Sequence, residues 1–178
     1  VDFRKTCLLN LRKELLKREK QIARAMYDDF RKPEFETVMT ETGIVINELN
    51  LAIRKVKCWA KSRYVRPVMV NFPSTNRLYK EPYGIVLIIA PWNYPFQLML
   101  TPLVAAIAAG NCAVIKPSEL APATEKIIQK IITASFDEQY VKLIAGEGGK
   151  VVPELINAFH FDHIFYTGST QVGKLIYQ

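Results

Sequence analysis

Between Pro82 and Ile115 the chain carries no charged residue, and within that span Pro91 and Pro95 stand four residues apart at the end of an aliphatic run. Gly84 to Ala90 is apolar throughout, rich in Ile and Val, and short enough for one strand. It reads as a strand buried on both faces, which belongs in the middle of a parallel sheet. The two prolines forbid its continuation, so Pro91-Trp92-Asn93-Tyr94-Pro95 must be a tight connection at the strand's carboxyl end. A helical period then runs through Leu98, Leu100, Leu103, Val104, Ile107 and Ala108, and Gly110-Asn111 supplies the stop. The uncharged span is long enough to cross a bilayer. Three prolines with Asn93 and Gln97 between them would leave backbone groups unpaired in lipid, so a strand followed by a buried helix is the better account.

From residue 83 onward strand and helix alternate. Cys112-Ala-Val-Ile-Lys116 reads as a second buried strand, Ser118 as the cap of a helix from Glu119 to about Ser135, and Tyr140–Ala145 as a third strand. A turn at Gly146–Gly149 and a short helix lead to a fourth strand, Asp162–Thr167, and Gly168–Gly173 opens a last helix. Short connections between alternating elements predict a Rossmann-like α/β fold, a parallel sheet with flanking helices and right-handed crossovers. Ahead of it, apolar stripes predict two helices, about 5–28 and 36–61, broken at Pro33, and the first 65 residues form a helical pair packing on the sheet. Arg66–Pro82, with its prolines and its Val68/Val70 alternation, is expected to form one or two exposed strands with turns at Pro73-Ser74 and Asn76, a short β-extension over 66–82.

The formal charge of +7 raises nucleic acid as a partner, but residues 1–80 hold 18 Lys/Arg against 9 Asp/Glu while residues 81–178 hold 6 against 8. The excess lies on helices where acids are interleaved. No nucleic-acid motif accompanies it, so solvated helix faces are expected and no nucleic acid. Cys7, Cys58 and Cys112 lack metal-ligand spacing, and only His160 and His163 could join them. No metal site is expected; reduced thiols in a cytoplasmic protein fit.

Open α/β sheets bind ligands beyond the strands' carboxyl ends, which selects the candidate residues. Asn93 could donate its amide to a developing oxyanion or merely stabilise a turn. Lys116 and Glu119 could grip the hydroxyls of a ribose or form a surface ion pair at a helix start. Gly168–Gly173 offers backbone N–H groups and a helix N-terminus to a pyrophosphate, or is an ordinary glycine turn. The spacing G-x-x-x-x-G-K at Gly168–Lys174 also approaches a nucleotidase P-loop, but Leu175 lacks the hydroxyl that would hold magnesium.

Five motifs together carry more than any one. Glu81-Pro-Tyr-Gly84, Ala90-Pro-Trp-Asn-Tyr-Pro95, Ala106-Ile-Ala-Ala-Gly-Asn111, Lys116-Pro-Ser-Glu119 and Phe165-Tyr-Thr-Gly-Ser-Thr170, in this order and spacing, closely resemble the cofactor-binding half of the aldehyde dehydrogenase superfamily, most of all its class 3 branch with the fatty-aldehyde enzymes. The resemblance implies NAD or NADP as cofactor and an aldehyde as substrate of the intact enzyme. It gives Asn93 the role of oxyanion-hole amide and places Ile89, Ala90 and Trp92 along the nicotinamide and phosphate groove. Lys116 and Glu119 would hold the adenosine ribose, Gly168, Ser169 and Gly173 would form the pyrophosphate turn, and Val172 would lie near the adenine. It also implies that 83–178 is a truncated cofactor domain, that 66–82 makes oligomer contacts, and that the intact form is a homodimer. Membrane contact would come only through a C-terminal segment that some relatives carry.

The family's nucleophilic Cys and general-base Glu lie in segments beyond Gln178, and none of the three cysteines here matches the nucleophile's context. Since a thiolate must attack the carbonyl before hydride can leave, the 178 residues alone are expected to bind cofactor without oxidising aldehydes. The alternative is a non-catalytic dinucleotide-binding or subunit-interaction module.

Overall fold

The computed structural model describes residues 1–177. Two helices open the chain, α1 (Asp2–Lys17) and α2 (Glu19–Phe30), where one helix over 5–28 was expected. Arg18 leaves the helical region at φ −111°, ψ 15° and ion-pairs back to Glu14. The break lets the two halves of one apolar stripe face different neighbours. Leu8, Leu11 and Leu15 of α1 and Ile22 and Met26 of α2 are all buried at 2% exposure or less.

The second helical stretch is also composite. After α3 (Glu34–Thr37), a π-helical turn at Val38–Thr42 precedes α4 (Gly43–Trp59). A Cβ at Gly43 would lie 2.5 Å from the Val38 carbonyl oxygen, so the widened turn requires glycine there. Buried Glu41, Val45, Leu49, Ala52 and Val56 then form one continuous inner stripe.

The exposed segment differs from expectation. Its strands are β1 (Arg63–Val65) and β2 (Asn76–Leu78), antiparallel with Arg63 opposite Leu78. Pairing therefore starts before Arg66, Val70 lies in a 3₁₀ turn (Met69–Asn71) preceded by Val68, and Asn76 opens a strand instead of a turn. The alternation at Val68 and Val70 had no core to face: Met69 and Val70 are each 93% exposed.

The remainder follows the expected alternation: β3 (Ile85–Ile89), α5 (Pro95–Ala109), β4 (Cys112–Lys116), α6 (Pro122–Ser135), β5 (Val141–Leu143), α7 (Gly148–Ala158), β6 (His163–Tyr166) and α8 (Thr170–Tyr177). The four strands form one parallel sheet in the order β5-β4-β3-β6. The uncharged span thus resolves into β3, α5 and most of β4, and among the described residues no helix is long and apolar enough to cross a membrane. Gly110 closes α5 at φ 99°, donating its N–H to the Ala106 and Ile107 carbonyls, and Asn111 Oδ1 accepts from the Gly84 N–H at the mouth of β3.

The sheet's two faces are unequal. On one, Val86, Ile88, Ala113 and Ile115 share a large core with α1, α2, α4, α5 and α6; on the other, Leu87 and Ile89 pack on Val152 and Leu155 of α7, with Ile176 of α8 beside them. Each fully buried aliphatic side chain contributes roughly 1.5–3 kcal/mol, so the first face dominates the stability of the sheet.

Candidate functional site at the carboxyl edge of the sheet

Parallel pairing puts every strand's carboxyl end on the same edge. Ile89, the last residue of β3, is level with Lys116 on one side and Tyr166 on the other. The ladder continues one step past the strands, with the Ala90 N–H on the Lys116 carbonyl and the Thr167 N–H on the Ile89 carbonyl. The connections bearing Asn93, Lys116/Glu119 and Gly168 therefore leave from one rim. The chain builds β3, β4 and β5 outward in one direction, then returns to lay β6 on the opposite side of β3. That reversal is the crevice where such sheets take ligands, and the Asn93 and Gly168 connections flank it.

Ile89 and Ala90 are buried under the rim, while Trp92, Asn93 and Tyr94 stand exposed above it. Among the described residues no protein group hydrogen-bonds the Asn93 side-chain amide.

Lys116 is no surface residue: it is 2% exposed, with Nζ 2.7 Å from Glu119 Oε2 and 2.8 Å from the Pro117 carbonyl. Glu119 turns its other oxygen to the Gly148 N–H at the start of α7, 3.0 Å away. Partial burial pushes the Glu119 carboxyl up, but hydrogen bonds from Lys116 and Gly148 outweigh it and hold the group at about 2. An ionised carboxylate and an ammonium with a remaining N–H thus sit together at the rim.

Ser118 does not cap α6, which begins at Pro122; its Oγ instead accepts from the Leu120 N–H, bending the connection locally. At the far connection only residues 167–169 separate β6 from α8. That is too short for a P-loop, and Gly173 already lies inside the helix, so the nucleotidase spacing is coincidental. A Cβ on Gly168 would collide with the Tyr166 ring, and one on Gly173 would lie 3.4 Å from it. The close approach favours glycine at 168, whereas at 173 a Cβ would make only an ordinary van der Waals contact. Ser169 Oγ accepts from the Val172 N–H at 3.4 Å, Val172 is exposed, and a pocket of ≈ 480 Å³ lies along Gly168, Ser169, Gly173 and Lys174. A second pocket, ≈ 430 Å³ between α5 and β6, reaches Tyr83, Asn111 and His163 and holds none of the candidate residues.

Sequence reasoning missed how these helices begin. Helices α5 and α6 each start with a proline and no cap of their own. The N-terminal region supplies the caps: Glu41 Oε2 accepts from Phe96 and Gln97, and Asp29 accepts from Ala123, Thr124 and the Thr124 hydroxyl. The available signal was an acid on an apolar stripe, Asp29 after Ile22 and Met26, Glu41 before Val45 and Leu49. The first turn of α8 is different: among the described residues no carboxylate meets its N–H groups.

The aldehyde dehydrogenase family model matches residues 1–178. The 4,4'-diaponeurosporen-aldehyde dehydrogenase of Staphylococcus aureus is 43% identical over 178 residues, covering 100% of this chain and 38% of that protein. Aldehyde dehydrogenase family 3 member B1 of Rattus norvegicus is 39% identical over 176 residues, 99% of this chain and 37% of that protein. Among solved structures, a substrate-bound state of Staphylococcus aureus AldH superposes with a TM-score of 0.95 at 42% identity, covering 99% of this chain and 38% of that one. The glyceraldehyde-3-phosphate dehydrogenase GapN of Methanocaldococcus jannaschii, complexed with NADP, superposes with a TM-score of 0.81 at 27% identity, covering 98% and 38%. The chain thus spans under two-fifths of the length of these relatives.

Proposed function

Because the chain belongs to the aldehyde dehydrogenase family, we propose that it forms the cofactor-binding part of a class 3 enzyme that oxidises an aldehyde to a carboxylic acid. The observation that carries this is the meeting of three connections on one rim at the sheet's reversal point, where among the described residues no carboxylate meets the N–H groups of α8. A helix start whose amides are already bonded to carboxylates, as in α5 and α6, has nothing to offer a pyrophosphate. The start of α8 does.

The fit to a nicotinamide dinucleotide follows from the donor set. Gly168 and Ser169 present amides and a hydroxyl to the pyrophosphate, Gly173 lies beside them in the first turn of α8, and exposed Val172 offers an apolar contact to the adenine. Lys116 and Glu119 hold the adenosine ribose, the carboxylate accepting from a hydroxyl and the ammonium donating to one. A 2′-phosphate would meet the ionised Glu119, which favours NAD over NADP. Ile89, Ala90 and Trp92 line the groove toward the nicotinamide. When bound, the dinucleotide supplies the hydride acceptor. Asn93 donates its side-chain N–H to the aldehyde oxygen as negative charge gathers there, and its exposed amide, without a protein partner among the described residues, supports that role. The exposed apolar residues Val68, Met69, Val70 and Phe72 support a homodimer contact at the β1–β2 region.

The test is calorimetric titration with NAD and NADP of the wild type and of Lys116→Met and Glu119→Gln. Each variant should bind NAD at least about 10-fold more weakly, the effect of losing a charged hydrogen bond, and Glu119→Gln should narrow the gap to NADP. Equal affinity in all three would overturn the ribose assignment. The 178-residue polypeptide should show no aldehyde oxidation, and turnover by it would refute the assignment of the nucleophile to another segment.

A further inference from the structure

We propose that Glu41 is a positioning residue for Asn93, an inference that rests on the oxyanion role given to that amide. Glu41 is 0% exposed, and both of its oxygens are used. Oε1 accepts from Lys32 Nζ at 2.6 Å, and Oε2 accepts from the Phe96 and Gln97 N–H groups at 3.2 and 2.9 Å. Phe96 and Gln97 are the second and third residues of α5, and the connection Trp92-Asn93-Tyr94 runs directly into that helix. Lys32, itself 8% exposed, places its ammonium 4.6 Å from the centre of the Tyr94 ring. One buried ion pair therefore holds the connection at two points: the helix start just after Asn93 and the side chain of the residue between.

The device is costly unless it is used. Burying a carboxylate and an ammonium seldom stabilises more than apolar residues of the same volume, so the task proposed for this pair is to fix geometry. Its carrier is the π-helical turn at Val38–Thr42, permitted by Gly43, a turn type that marks functional positions more often than plain helix does. Asn93 makes no protein hydrogen bond of its own among the described residues. Its placement depends on what grips the chain on either side.

The experiment uses the full-length product that carries these residues, with Glu41→Gln, Asn93→Ala and the double variant. Asn93→Ala should lower kcat by on the order of 10²–10³. Glu41→Gln should lower kcat by about 10- to 100-fold, the scale of a small misplacement, with the cofactor KM unchanged. The double variant should be no slower than Asn93→Ala alone, because both losses fall on one group. Full kcat in Glu41→Gln, or losses that multiply in the double variant, would overturn the proposal while leaving Asn93 its role. Wild-type kcat in Asn93→Ala would remove that role, and the proposal with it. Should Glu41→Gln fail to fold, amide exchange in the wild type decides: Phe96 and Gln97 should be protected, although second and third helix positions ordinarily exchange freely. Exchange at open-chain rates would overturn the proposal.

Discussion

Helices α5 and α6 share a rim with α8 but start from opposite physical situations. The first two open on a proline, and carboxylates reach them from far away in the sequence, Glu41 across 55 residues and Asp29 across 94. Helix α8 follows a glycine and a serine, and among the described residues only the Ser169 hydroxyl turns back on its first turn. Both arrangements answer the same problem, four N–H groups without intrahelical partners and the positive end of a helix dipole. A protein carboxylate answers it permanently and makes the helix start part of the core. A short hydroxyl at an exposed turn leaves most of it unanswered until an anion arrives. On the proposed reading, stability and ligand binding fall to different helix starts, and substitutions should separate them.

The sharpest break in that comparison is Glu41→Ala. It strands the Lys32 ammonium in the interior and uncaps α5, and losing one partner of a buried pair costs about 3–5 kcal/mol. Denaturant unfolding would measure it, and a loss below 1 kcal/mol would mean that α5 does not depend on the pair. Next comes Asp29→Ala, which removes three accepted hydrogen bonds at the start of α6 but leaves no buried cation behind. Its cost should be about 2 kcal/mol, the upper end for a helix cap. At α8 the order inverts: Ser169→Ala removes one long, exposed bond and should cost about 0.5 kcal/mol of stability, yet weaken NAD binding. A Ser169→Ala variant that unfolds early but binds normally would erase the distinction.

What the sequence made legible follows the same division. Buried strands announce themselves, because Gly84–Ala90 and Cys112–Ile115 are apolar runs that stop at or one residue before a proline, and all four strands of the sheet fall within the expected segments. Residues that act within their own turn, such as Gly110 at φ 99°, were equally readable. Interactions between distant segments were not. Periodicity treats α1 and α2 as one helix, since Arg18 interrupts the geometry without interrupting the apolar stripe, and it cannot register the extra residue of the π turn before Gly43. Ser118 had the chemistry of a cap, but Asp29 holds the place. The site divides likewise: Lys116, Glu119 and Gly168 stand on the edge where parallel strands must put them, whereas Glu41 becomes visible only once α3, α4 and α5 are packed together.

Helix α7 lies between the two cases, since its cap, Glu119, also belongs to the candidate ribose site, and this makes it the finest test. The carboxylate holds Gly148 from an exposed position, and its pKa is drawn from about 4.5 to about 2 despite the opposing effect of burial. A group whose folded pKa is depressed contributes stability above its unfolded pKa and loses it as the pH falls through the folded value. The contribution of Glu119 should therefore be whole at pH 5 and above, decline below about 4.5, and be gone near 2. Because the carboxylate is 40% exposed, solvent screens it and the change in global stability should be slight. The local signal is cleaner: the Gly148 amide should titrate with a midpoint near 2 in a wild type that is still folded, and not at all in Glu119→Gln. A midpoint near 4.5 would mean that the Lys116 and Gly148 bonds do not hold the carboxylate, and that α7, like α8, begins with its amides open to an incoming anion.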